Sequence, residues 1–441
     1  MSANAPILTL PEQCLVLLIG PSGVGKSTFA RKHFRGTEIL STDFFRGMVS
    51  DDESNQSASK DAFEVLHLAA EKRLLRGRLT VIDATNLEGQ LRKPFLELAR
   101  TYYFPVTAIV FQLPEEVCQK RNQVRQERTV PESVIRKHCE KLSTTIHSLN
   151  RERYKQIRIL TSQQEIDTVT IERKRSPVNV RYEHGPFDII GDVHGCFREL
   201  LQLFVKLGYC VTTTDVRGFL EYRITPPPGR KVIFVGDLVD RGPGSPQVLR
   251  IVMNLMQRGL AYCVRGNHDD KLFRKLCGRK VSVTYGLGET LNQMQQEPLT
   301  FHVAARDFLD SLPHHLILNS GRLVVAHAGL PRPMHGRMSK RVRNFALYGD
   351  ITGDKDEHGL PVRGDWAQDY TSKPLVVYGH TPVEFPRWVN NTVNVDTGCV
   401  FGGMLTALRY PELETVSVAA EKVHCPPHRP FKSDDAVSPV S

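Results

Sequence analysis

The sequence lacks any apolar run close to the roughly 18–20 residues that a membrane-spanning helix needs. Its run Leu15–Ile19 has only the length of a strand. Residues 1–11 contain neither a basic stretch nor a long apolar stretch, so no secretory signal is expected. The nine cysteines are scattered singly from Cys14 to Cys425, without a Cys-x-x-Cys pair. This spacing argues against a disulfide framework or a zinc module, and it predicts a protein of the reducing cytoplasm. Because no apolar run is long enough to span a membrane, no membrane partner is expected.

The sequence also shows no acidic bias. Its formal net charge is +10 over 441 residues, and both halves carry a basic excess. A mildly basic protein suits a polyanionic partner such as nucleic acid or a nucleotide. Many enzymes are equally basic without binding nucleic acid, so charge alone leaves both options open. There is no internal repeat or low-complexity tract, and the length predicts two or three domains.

Short apolar runs alternate with helical patterns over the first 160 residues. An amphipathic helical pattern covers residues 63–74, with Gly77 as a candidate C-cap. The predicted strands cover residues 14–19, 38–40, 79–82 and 106–112. This βαβα order predicts a domain of residues 1–160 with a parallel sheet and helices on both faces. The polar stretch 161–186 is predicted to be a linker.

A second alternating pattern begins at Phe187 and predicts another α/β domain over residues 187–423. Residues 287–312 are predicted to be helical, and 339–370 to be an insertion. The Pro- and Ser-rich segment 424–441 is predicted to be a disordered tail. The predicted strands of this domain include residues 231–235, 322–326, 374–378 and 393–396.

Residues 20–27, GPSGVGKS, match the P-loop pattern G-x-x-x-x-G-K-S/T directly after a predicted strand. The glycines of such a loop let main-chain N–H groups surround phosphates, and the helix that follows favours negative charge at its N-terminus. Lys26 is expected to reach the β- and γ-phosphates of ATP or another NTP, and Ser27 to bind Mg²⁺. The predicted nucleotide-binding residues here are Gly20, Ser22, Gly23, Gly25, Lys26, Ser27 and Thr28.

Phosphoryl transfer to a hydroxyl also needs a group that accepts the proton. Asp43 follows the second predicted strand, where open α/β sheets place ligands, and is the candidate base. Arg46 is the candidate clamp for a phosphate of the acceptor. Asp83 ends the third predicted strand and is a candidate contact for Mg²⁺ or the acceptor. Both acids also stand where an Asp commonly caps a helix.

Three arginines, Arg121, Arg125 and Arg128, recur at helical spacing. Such a face can close over ATP as a lid whose cations neutralise developing charge. A solvated basic helix face is the alternative interpretation. Arg121 and Arg125 are the two assigned to nucleotide binding.

The second domain carries five polar motifs, each after a predicted strand. They are residues 191–195, 236–242, 266–269, 326–330 and 378–382. Carboxylate and amide oxygens combined with imidazoles suit Mn²⁺, Ni²⁺ or a similar metal better than Ca²⁺. Asp237 is expected to bridge two divalent metals. The predicted metal ligands are Asp192, His194, Asp237, Asn267, His327 and His380.

Three further residues of these motifs are candidates for catalysis. His268 is free to protonate a leaving oxygen. Asp240 is expected to orient His268, and Arg241 to bind the phosphate. A single histidine at a strand end is usually structural, but five such motifs in order indicate a phosphoesterase site. The predicted catalytic residues of the whole chain are Lys26, Asp43, Arg46, Asp240, Arg241 and His268.

These motifs resemble known families. Residues 192–194, 236–242 and 266–268 resemble the calcineurin-type metallophosphoesterases, and the P-loop with residues 41–46 and 83–86 is similar to polynucleotide 5′-kinases. In this order, with residues 345–349 and 396–403, they resemble the bacterial polynucleotide kinase–phosphatase over residues 12–420. The resemblance implies a P-loop NTPase parallel-sheet domain followed by a calcineurin-like αββα sandwich.

The resemblance also implies an enzyme that heals RNA ends. Its kinase would phosphorylate 5′-OH ends with NTP and Mg²⁺. Its phosphatase, with Mn²⁺ or Ni²⁺, would remove 2′- and 3′-phosphates and open 2′,3′-cyclic phosphates. Asp396 would line the phosphatase site. The implied partners are nucleic-acid ends, RNA rather than DNA, although no separate RNA-binding module appears.

One departure from that family bears on function. Its full-length members continue into a ligase-like domain, whereas no Lys-centred adenylation motif follows residue 423. Sealing is then expected from a separate ligase or RNA-modifying partner, unless the chain is a truncation or acts on another substrate. The alternatives are a phosphatase of dinucleoside polyphosphates or phosphoproteins, with the P-loop domain as a small-molecule kinase or nucleotide sensor. The oligomeric state stays open, a homodimer included.

Overall fold

The computed structural model describes residues 6–124, 129–216, 219–356 and 361–427. The chain divides into two compact units. The first comprises Met1–Ser176 with Arg337–Ser339, and the second comprises Pro177–Gly336 with Lys340–Ser441. Among the described residues, no helix combines the length and apolar character that crossing a membrane requires.

The first unit is built on a five-stranded parallel sheet of order β3-β4-β2-β5-β6. Strands β1 and β7 form a separate parallel pair. The strands are β1 (Ile7–Pro11), β2 (Leu15–Ile19), β3 (Ile39–Ser41), β4 (Thr80–Asp83), β5 (Val106–Phe111), β6 (Gln156–Leu160) and β7 (Thr170–Lys174). The helices are α1 (Lys26–His33), α2 (Thr42–Ser50), α3 (Ser59–Leu75), α4 (Gly89–Thr101), α5 (Glu115–Gln123), α6 (Glu132–Leu149) and α7 (Gln163–Thr168).

The central strand β2 is buried along its whole length. Its alternate residues face two different apolar clusters. Leu15, Leu17 and Ile19 pack into one cluster, and Val16 and Leu18 pack into the other. A strand buried on both faces reads as a continuous apolar run, which is why the sequence predicts it clearly. The predicted parallel sheet is confirmed.

The stretch 161–186, predicted as a linker, is structured in its first half. It contains α7 and β7, and β7 pairs with β1, a strand that the sequence pattern does not predict. Arg173 forms two hydrogen bonds of 2.7 Å to the carboxylate of Glu38. The linker assignment was therefore wrong for residues 163–174. Its polar composition conceals the strand because β7 is largely exposed.

The second unit contains two five-stranded sheets of order β12-β11-β8-β20-β21 and β13-β14-β17-β19-β18, and two hairpins. The first seven strands of this unit are β8 (Phe187–Ile190), β9 (Cys210–Val216), β10 (Phe219–Thr225), β11 (Lys231–Phe234), β12 (Ala261–Cys263), β13 (His315–Leu318) and β14 (Leu323–Ala326). The remaining strands are β15 (Ile351–Lys355), β16 (Pro361–Arg363), β17 (Leu375–Tyr378), β18 (Arg387–Val389), β19 (Thr392–Asn394), β20 (Met404–Tyr410) and β21 (Glu414–Ala419). The helices are α8 (Phe197–Lys206), α9 (Ser245–Gln257), α10 (Asn267–Leu276), α11 (Leu287–Met294), α12 (Leu299–Ser311) and α13 (Lys340–Tyr348).

The two sheets of this unit share an apolar core. Ile189 and Ile233 of the first sheet pack in one cluster with Val325 and Val377 of the second. Neighbouring residues of the first sheet, such as Phe234, point to the other face and pack with α8, α9, α11 and α12. The α/β fold class predicted for both domains is confirmed.

Smaller features of the second unit refine the predictions. The predicted helical region 287–312 consists of two helices separated by residues 295–298. The predicted insertion 339–370 contains α13 and the hairpin β15–β16. Of the predicted tail, residues 424–427 are described, and main-chain N–H groups of His424 and Cys425 donate to Val400 O. Residues 428–441 lie outside the described part.

Candidate active sites

The P-loop joins the central strand β2 to helix α1, which begins at Lys26. Gly23 and Gly25 have φ angles of 81° and 102°, in the left-handed region that favours glycine. A Cβ on Gly23 would lie 2.5 Å from the carbonyl oxygen of Cys118, so a side chain does not fit there. Gly25 caps α1 without a side chain, which lets main-chain N–H groups of the first turn face an anion.

A cavity of about 920 Å³ opens at the P-loop. Lys26 lies in its wall, and its Nζ donates to the carbonyl oxygens of Gly20 and Pro21 at 2.8 Å each. Gly20 and Thr28 lie outside the described lining of the cavity. Pockets of about 300–1,000 Å³ hold small-molecule ligands, so this one has room for a nucleotide and an acceptor group. Its lining includes the predicted nucleotide-binding residues Ser22, Gly23, Gly25, Lys26 and Ser27.

The candidate base and its neighbours line the same cavity. Asp43 lies in the first turn of α2 and forms an ion pair with Arg46. Asp83 is the buried last residue of β4. Burial raises the pKa of Asp83, while the charge of Lys26 and a hydrogen bond with Ser27 act to lower it. The cavity therefore brings together Lys26, Ser27, Asp43, Arg46 and Asp83.

Arg121 contacts the P-loop from α5. Its Nη1 donates to Val24 O at 2.8 Å, and its Nη2 hydrogen-bonds Gln163. Arg121 therefore contacts the main chain of the P-loop and is not part of a solvated helix face. The other two predicted lid residues, Arg125 and Arg128, lie outside the described residues.

In the second unit, the predicted site residues follow the carboxyl ends of parallel strands. The strands β8, β11 and β12 run parallel in the first sheet, and β14, β17 and β19 run parallel in the second. The first sheet contributes Asp192 and His194 after β8, Asp237, Asp240 and Arg241 after β11, and Asn267 and His268 after β12. The second sheet contributes His327 after β14, His380 after β17 and Asp396 after β19.

Asp237 is shared by two clusters of possible metal ligands. One cluster is Asp237 with His194 and His268, and the other is Asp237 with His327 and His380. Asp237 Oδ2 lies 3.5 Å from His194 Nε2 and 3.4 Å from His327 Nε2. One carboxylate therefore stands between two imidazole groups, the arrangement expected of a ligand that bridges two metals.

Main-chain carbonyl groups orient the two imidazoles. His194 Nδ1 lies 2.8 Å from Val239 O, and His327 Nδ1 lies 3.1 Å from Val235 O. A carbonyl oxygen only accepts, so Nδ1 of each ring carries the proton and Nε2 presents its lone pair towards Asp237. This is the tautomer that a metal-binding histidine needs.

The donor atoms of the site fit divalent cations. His327 Nε2 lies 2.8 Å from Asn267 Oδ1 and 3.0 Å from His380 Nδ1. Buried Asp192 Oδ1 has no hydrogen-bond partner among the described residues. Burial raises the pKa of Asp237 to about 8 and lowers the pKa of His327 to about 4. Oxygen and nitrogen acceptors thus converge at a point where burial disfavours their charged forms. A divalent cation held there would supply the compensating positive charge.

His268 lies between an acid and an arginine. Its Nδ1 is 2.7 Å from Asp240 Oδ2, and Arg241 Nη2 is 3.0 Å from its Nε2. Arg241 Nη1 is 2.5 Å from His194 Nε2. The structure therefore brings the three predicted catalytic residues of this unit against the Asp237 clusters, where a phosphate bound to the metals would meet Arg241 and His268.

A calcineurin-like phosphoesterase family model matches residues 185–413, a little more than half of the chain. The chain belongs to the calcineurin-like phosphoesterase family. Members of this family use divalent metals, in agreement with the donor set around Asp237. A second model, an AAA domain, matches residues 15–147, which include the P-loop.

Curated sequence relatives of this phosphoesterase match its second half alone. The asymmetrical bis(5′-nucleosyl)-tetraphosphatase PrpE of Anoxybacillus flavithermus is 52% identical over 236 residues, which is 53% of this chain and 93% of that protein. The protein of the same name from Geobacillus thermodenitrificans is 50% identical over 243 residues, 54% of this chain and 96% of that protein. A solved serine/threonine phosphatase from Saccharomyces cerevisiae is 18% identical, covering 56% of this chain and 84% of that chain with a TM-score of 0.39.

The phosphoesterase site is held in an uncommon main-chain conformation. Five of its non-glycine residues have a left-handed φ, between 43° and 75°. Such conformations are rare outside glycine and each costs on the order of 1–3 kcal/mol, so surrounding contacts must hold them. The five residues are His194, Asp237, Asp240, Arg241 and His380.

Two features that support the phosphoesterase site are not predicted by the sequence. The buried carboxylate of Asp269 accepts from the N–H groups of Leu238 and Gly266 at 2.9 Å each. It therefore fixes the loop that carries Asp237. A Cβ on Gly379 would lie 2.2 Å from Asp192 Oδ1, so only glycine fits there. Asp269 and Gly379 belong to the motifs at residues 266–269 and 378–382, but their contacts depend on the fold.

Proposed function

We propose that the second unit hydrolyses bis(5′-nucleosyl) tetraphosphates asymmetrically, giving a nucleoside triphosphate and a nucleoside monophosphate. The observation that carries the proposal is the 52% identity to a tetraphosphatase of that name over 93% of its length. The two clusters around Asp237 and the adjacent Arg241 supply the chemistry that such a reaction requires. This was the alternative interpretation of the sequence, and the relatives favour it over RNA end healing.

The residues of the site take distinct roles in this proposal. Two divalent cations, Mn²⁺ or Ni²⁺, held by Asp192, His194, Asp237, Asn267, His327 and His380, would supply Lewis acidity and neutralise the reacting phosphate. Arg241 binds an oxygen of that phosphate through its guanidinium. His268 gives its proton to the oxygen that leaves, and Asp240 holds the imidazole by the 2.7 Å contact at Nδ1.

For the first unit we propose NTP-dependent phosphoryl transfer. Lys26 and the main chain of the P-loop bind the phosphates, and Ser27 with Asp83 would hold Mg²⁺. Asp43 accepts the proton of the acceptor hydroxyl, and Arg46, which pairs with it, binds an anionic group of the acceptor. The presence of all five side chains in one cavity supports this role over a nucleotide sensor, which needs no base.

RNA end healing remains the second candidate for the whole chain. The observation in its favour is the cavity that places Asp43 and Arg46 beside the P-loop, because an acceptor with a 5′-hydroxyl and a neighbouring phosphate would use both. Its phosphatase half would act on terminal phosphates of RNA with the same metals. The two candidates therefore differ in the substrate of the second unit.

The deciding experiment offers both substrates to the Mn²⁺-loaded protein. One is bis(5′-adenosyl) tetraphosphate, and the other is a 5′-OH oligoribonucleotide with a 2′,3′-cyclic phosphate. Chromatography and mass spectrometry would follow the products. We expect ATP and AMP from the first substrate, with kcat/KM at least about tenfold above that for the RNA end, a difference of roughly 1.4 kcal/mol.

Two controls accompany this experiment. Asp237→Asn and a chelator should each abolish hydrolysis, because the substitution removes the bridging carboxylate and the chelator removes the metals. Lys26→Ala disables the P-loop, so that the ATP formed is not consumed by the first unit. Loss of the terminal RNA phosphate with an intact tetraphosphate would instead establish end healing.

A further inference from the structure

Four potential metal ligands meet in the second unit, apart from the Asp237 clusters. The thiols of Cys196 and Cys399 and a carboxylate oxygen of Glu199 all lie within 4.8 Å of one another. His424 joins them, because its Nε2 is 2.9 Å from Glu199 Oε1. The first three residues are at most 1% exposed, and the side chain of His424 is 6% exposed. A carboxylate buried to this degree is almost always paired or bound to a metal.

The four side chains come from segments that only the fold brings together. Cys196 precedes α8 and Glu199 lies in its first turn, three residues apart on one face of the helix end. Cys399 begins a short 3-10 helix between β19 and β20. His424 follows β21, and its main-chain N–H donates to Val400 O at 3.0 Å, which holds it beside Cys399. The sequence predicts no zinc module because its cysteines are scattered singly, but this arrangement needs no Cys-x-x-Cys pair.

The donor set differs in chemistry from the Asp237 clusters. Thiolates are soft ligands that select Zn²⁺ over Mg²⁺ or Mn²⁺. In a tetrahedral zinc site the Zn–S distance is about 2.3 Å and the Zn–N distance about 2.0 Å, which places the donor atoms roughly 3.3–3.8 Å apart. The separations of the donors in this cluster, 2.9 Å and up to 4.8 Å, therefore need only small side-chain movements to enclose an ion.

We propose a structural Zn²⁺ site whose ligands are Cys196, Glu199, Cys399 and His424. On binding, the two thiols release their protons to solvent and the thiolates become ligands, while His424 Nε2 turns from Glu199 to the metal. Four protein ligands fill a tetrahedral shell and leave no position for water or substrate, so the ion takes no part in catalysis. The inference goes beyond the proposed function and does not depend on the substrate of the second unit.

The ion would join two loops of the phosphoesterase site. Cys196 follows His194 by two residues, and Cys399 follows Asp396 by three. A metal bound to both cysteines would therefore hold together the loop after β8 and the loop after β19. Through His424 it would also fix the segment that follows β21.

Co²⁺ tests the site by its spectrum. Cobalt bound to thiolates shows intense charge-transfer absorption in the near ultraviolet, which the carboxylate and imidazole ligands around Asp237 do not give. Chelator-treated protein is titrated with Co²⁺ under reducing conditions. We expect the charge-transfer band to saturate at one Co²⁺ per chain and to disappear on addition of Zn²⁺, which nitrogen and sulfur ligands bind more tightly.

Variants assign the band to this cluster. Cys399→Ala should weaken the band strongly, and His424→Ala should lower the affinity for Co²⁺ by at least about 100-fold, because loss of a second-shell partner alone costs 10–100-fold. Cys277→Ser, at an exposed cysteine, should leave the band unchanged. Asp237→Ala should leave it unchanged as well, which separates this site from the phosphoesterase metals.

The zinc content of the purified protein gives a second readout. Wild type should retain one Zn²⁺ more per chain than His424→Ala, a variant that leaves both buried thiols in place. Circular dichroism shows which variants are folded, and if Cys399→Ala does not fold, His424→Ala decides alone. A wild-type protein without the band, or a folded His424→Ala protein with unchanged cobalt affinity and zinc content, would overturn the inference. Neither result depends on whether bis(5′-adenosyl) tetraphosphate is cleaved.

Discussion

His268 shows how a single residue acquires a role from its contacts. Asp240 and Arg241 both touch its ring, and Asp237 Oδ2 lies 4.0 Å from its Nε2. Burial lowers the pKa of His268 well below its ordinary value. A bound, negatively charged phosphate works in the opposite direction, because it favours the protonated imidazole. The ring is therefore placed to take up a proton with substrate and to pass it to the leaving oxygen.

His268→Gln should reduce turnover according to the leaving group. For an alkyl phosphate, whose leaving oxygen needs a proton, kcat should fall by about 10²–10⁴-fold. For p-nitrophenyl phosphate the loss should be much smaller, since the phenolate leaves unprotonated. Steady-state kinetics on both substrates at fixed metal concentration measures the difference. Equal losses would assign His268 to phosphate binding, and His302→Gln on α12 serves as the control.

At the level of secondary structure, the pair β1–β7 completes the first unit. Along β1 the side chains alternate, with Leu8 and Leu10 buried and Ile7 exposed to 61%. The two buried leucines belong to the same apolar cluster as Val16 of the central strand. The contribution of β1 to stability therefore comes from one face of the strand.

Leu10→Ala should destabilise the first unit by about 2–5 kcal/mol, the usual effect of truncating a fully buried leucine. Ile7→Ala, on the exposed face of the same strand, should change the free energy of unfolding by no more than about 0.5 kcal/mol. Urea unfolding followed by far-UV circular dichroism measures both. The fluorescence of Trp366 and Trp388, which lie in the second unit, provides the reference transition. Equal effects of the two substitutions would contradict the register of β1.

At the scale of the whole molecule, two units with separate cores carry two sites of different chemistry. The first site places Asp43 and Arg46 in one cavity with the P-loop, and the second places possible metal ligands at the ends of two sheets. The described residues that form each site belong to one unit alone. Each proposed activity should therefore depend on its own residues.

Asp43→Ala should abolish ATP-dependent phosphorylation of a 5′-OH oligoribonucleotide and leave phosphoesterase activity unchanged, because it removes only the base of the first site. Asp237→Ala should do the reverse. Both activities are measured on the same preparations, with circular dichroism to show that they are folded. A folded variant that loses both activities would refute the two-site description. Retention of ATP binding and of an ATP effect on hydrolysis in Asp43→Ala would indicate a sensor.

Much of the fold and of both sites could be predicted because their signals are local. The buried strand β2 is a continuous apolar run, and the P-loop follows it directly. The metal ligands lie in short segments after strands, since parallel strands bring such segments to one edge of a sheet. The sequence by itself thus determined the fold class, the P-loop and the donor set around Asp237.

Other features depend on contacts between residues distant in sequence, and only the tertiary structure decided them. The pairing of β1 with β7 joins residues more than 160 positions apart, and neither strand has a strong pattern of its own. Arg363 lies on a hairpin without a motif and lines a small cavity together with His380. The choice of substrate also depends on the tertiary structure. Bound metals would activate any phosphate, whereas charges placed beyond the metal ligands determine which phosphate compound fits.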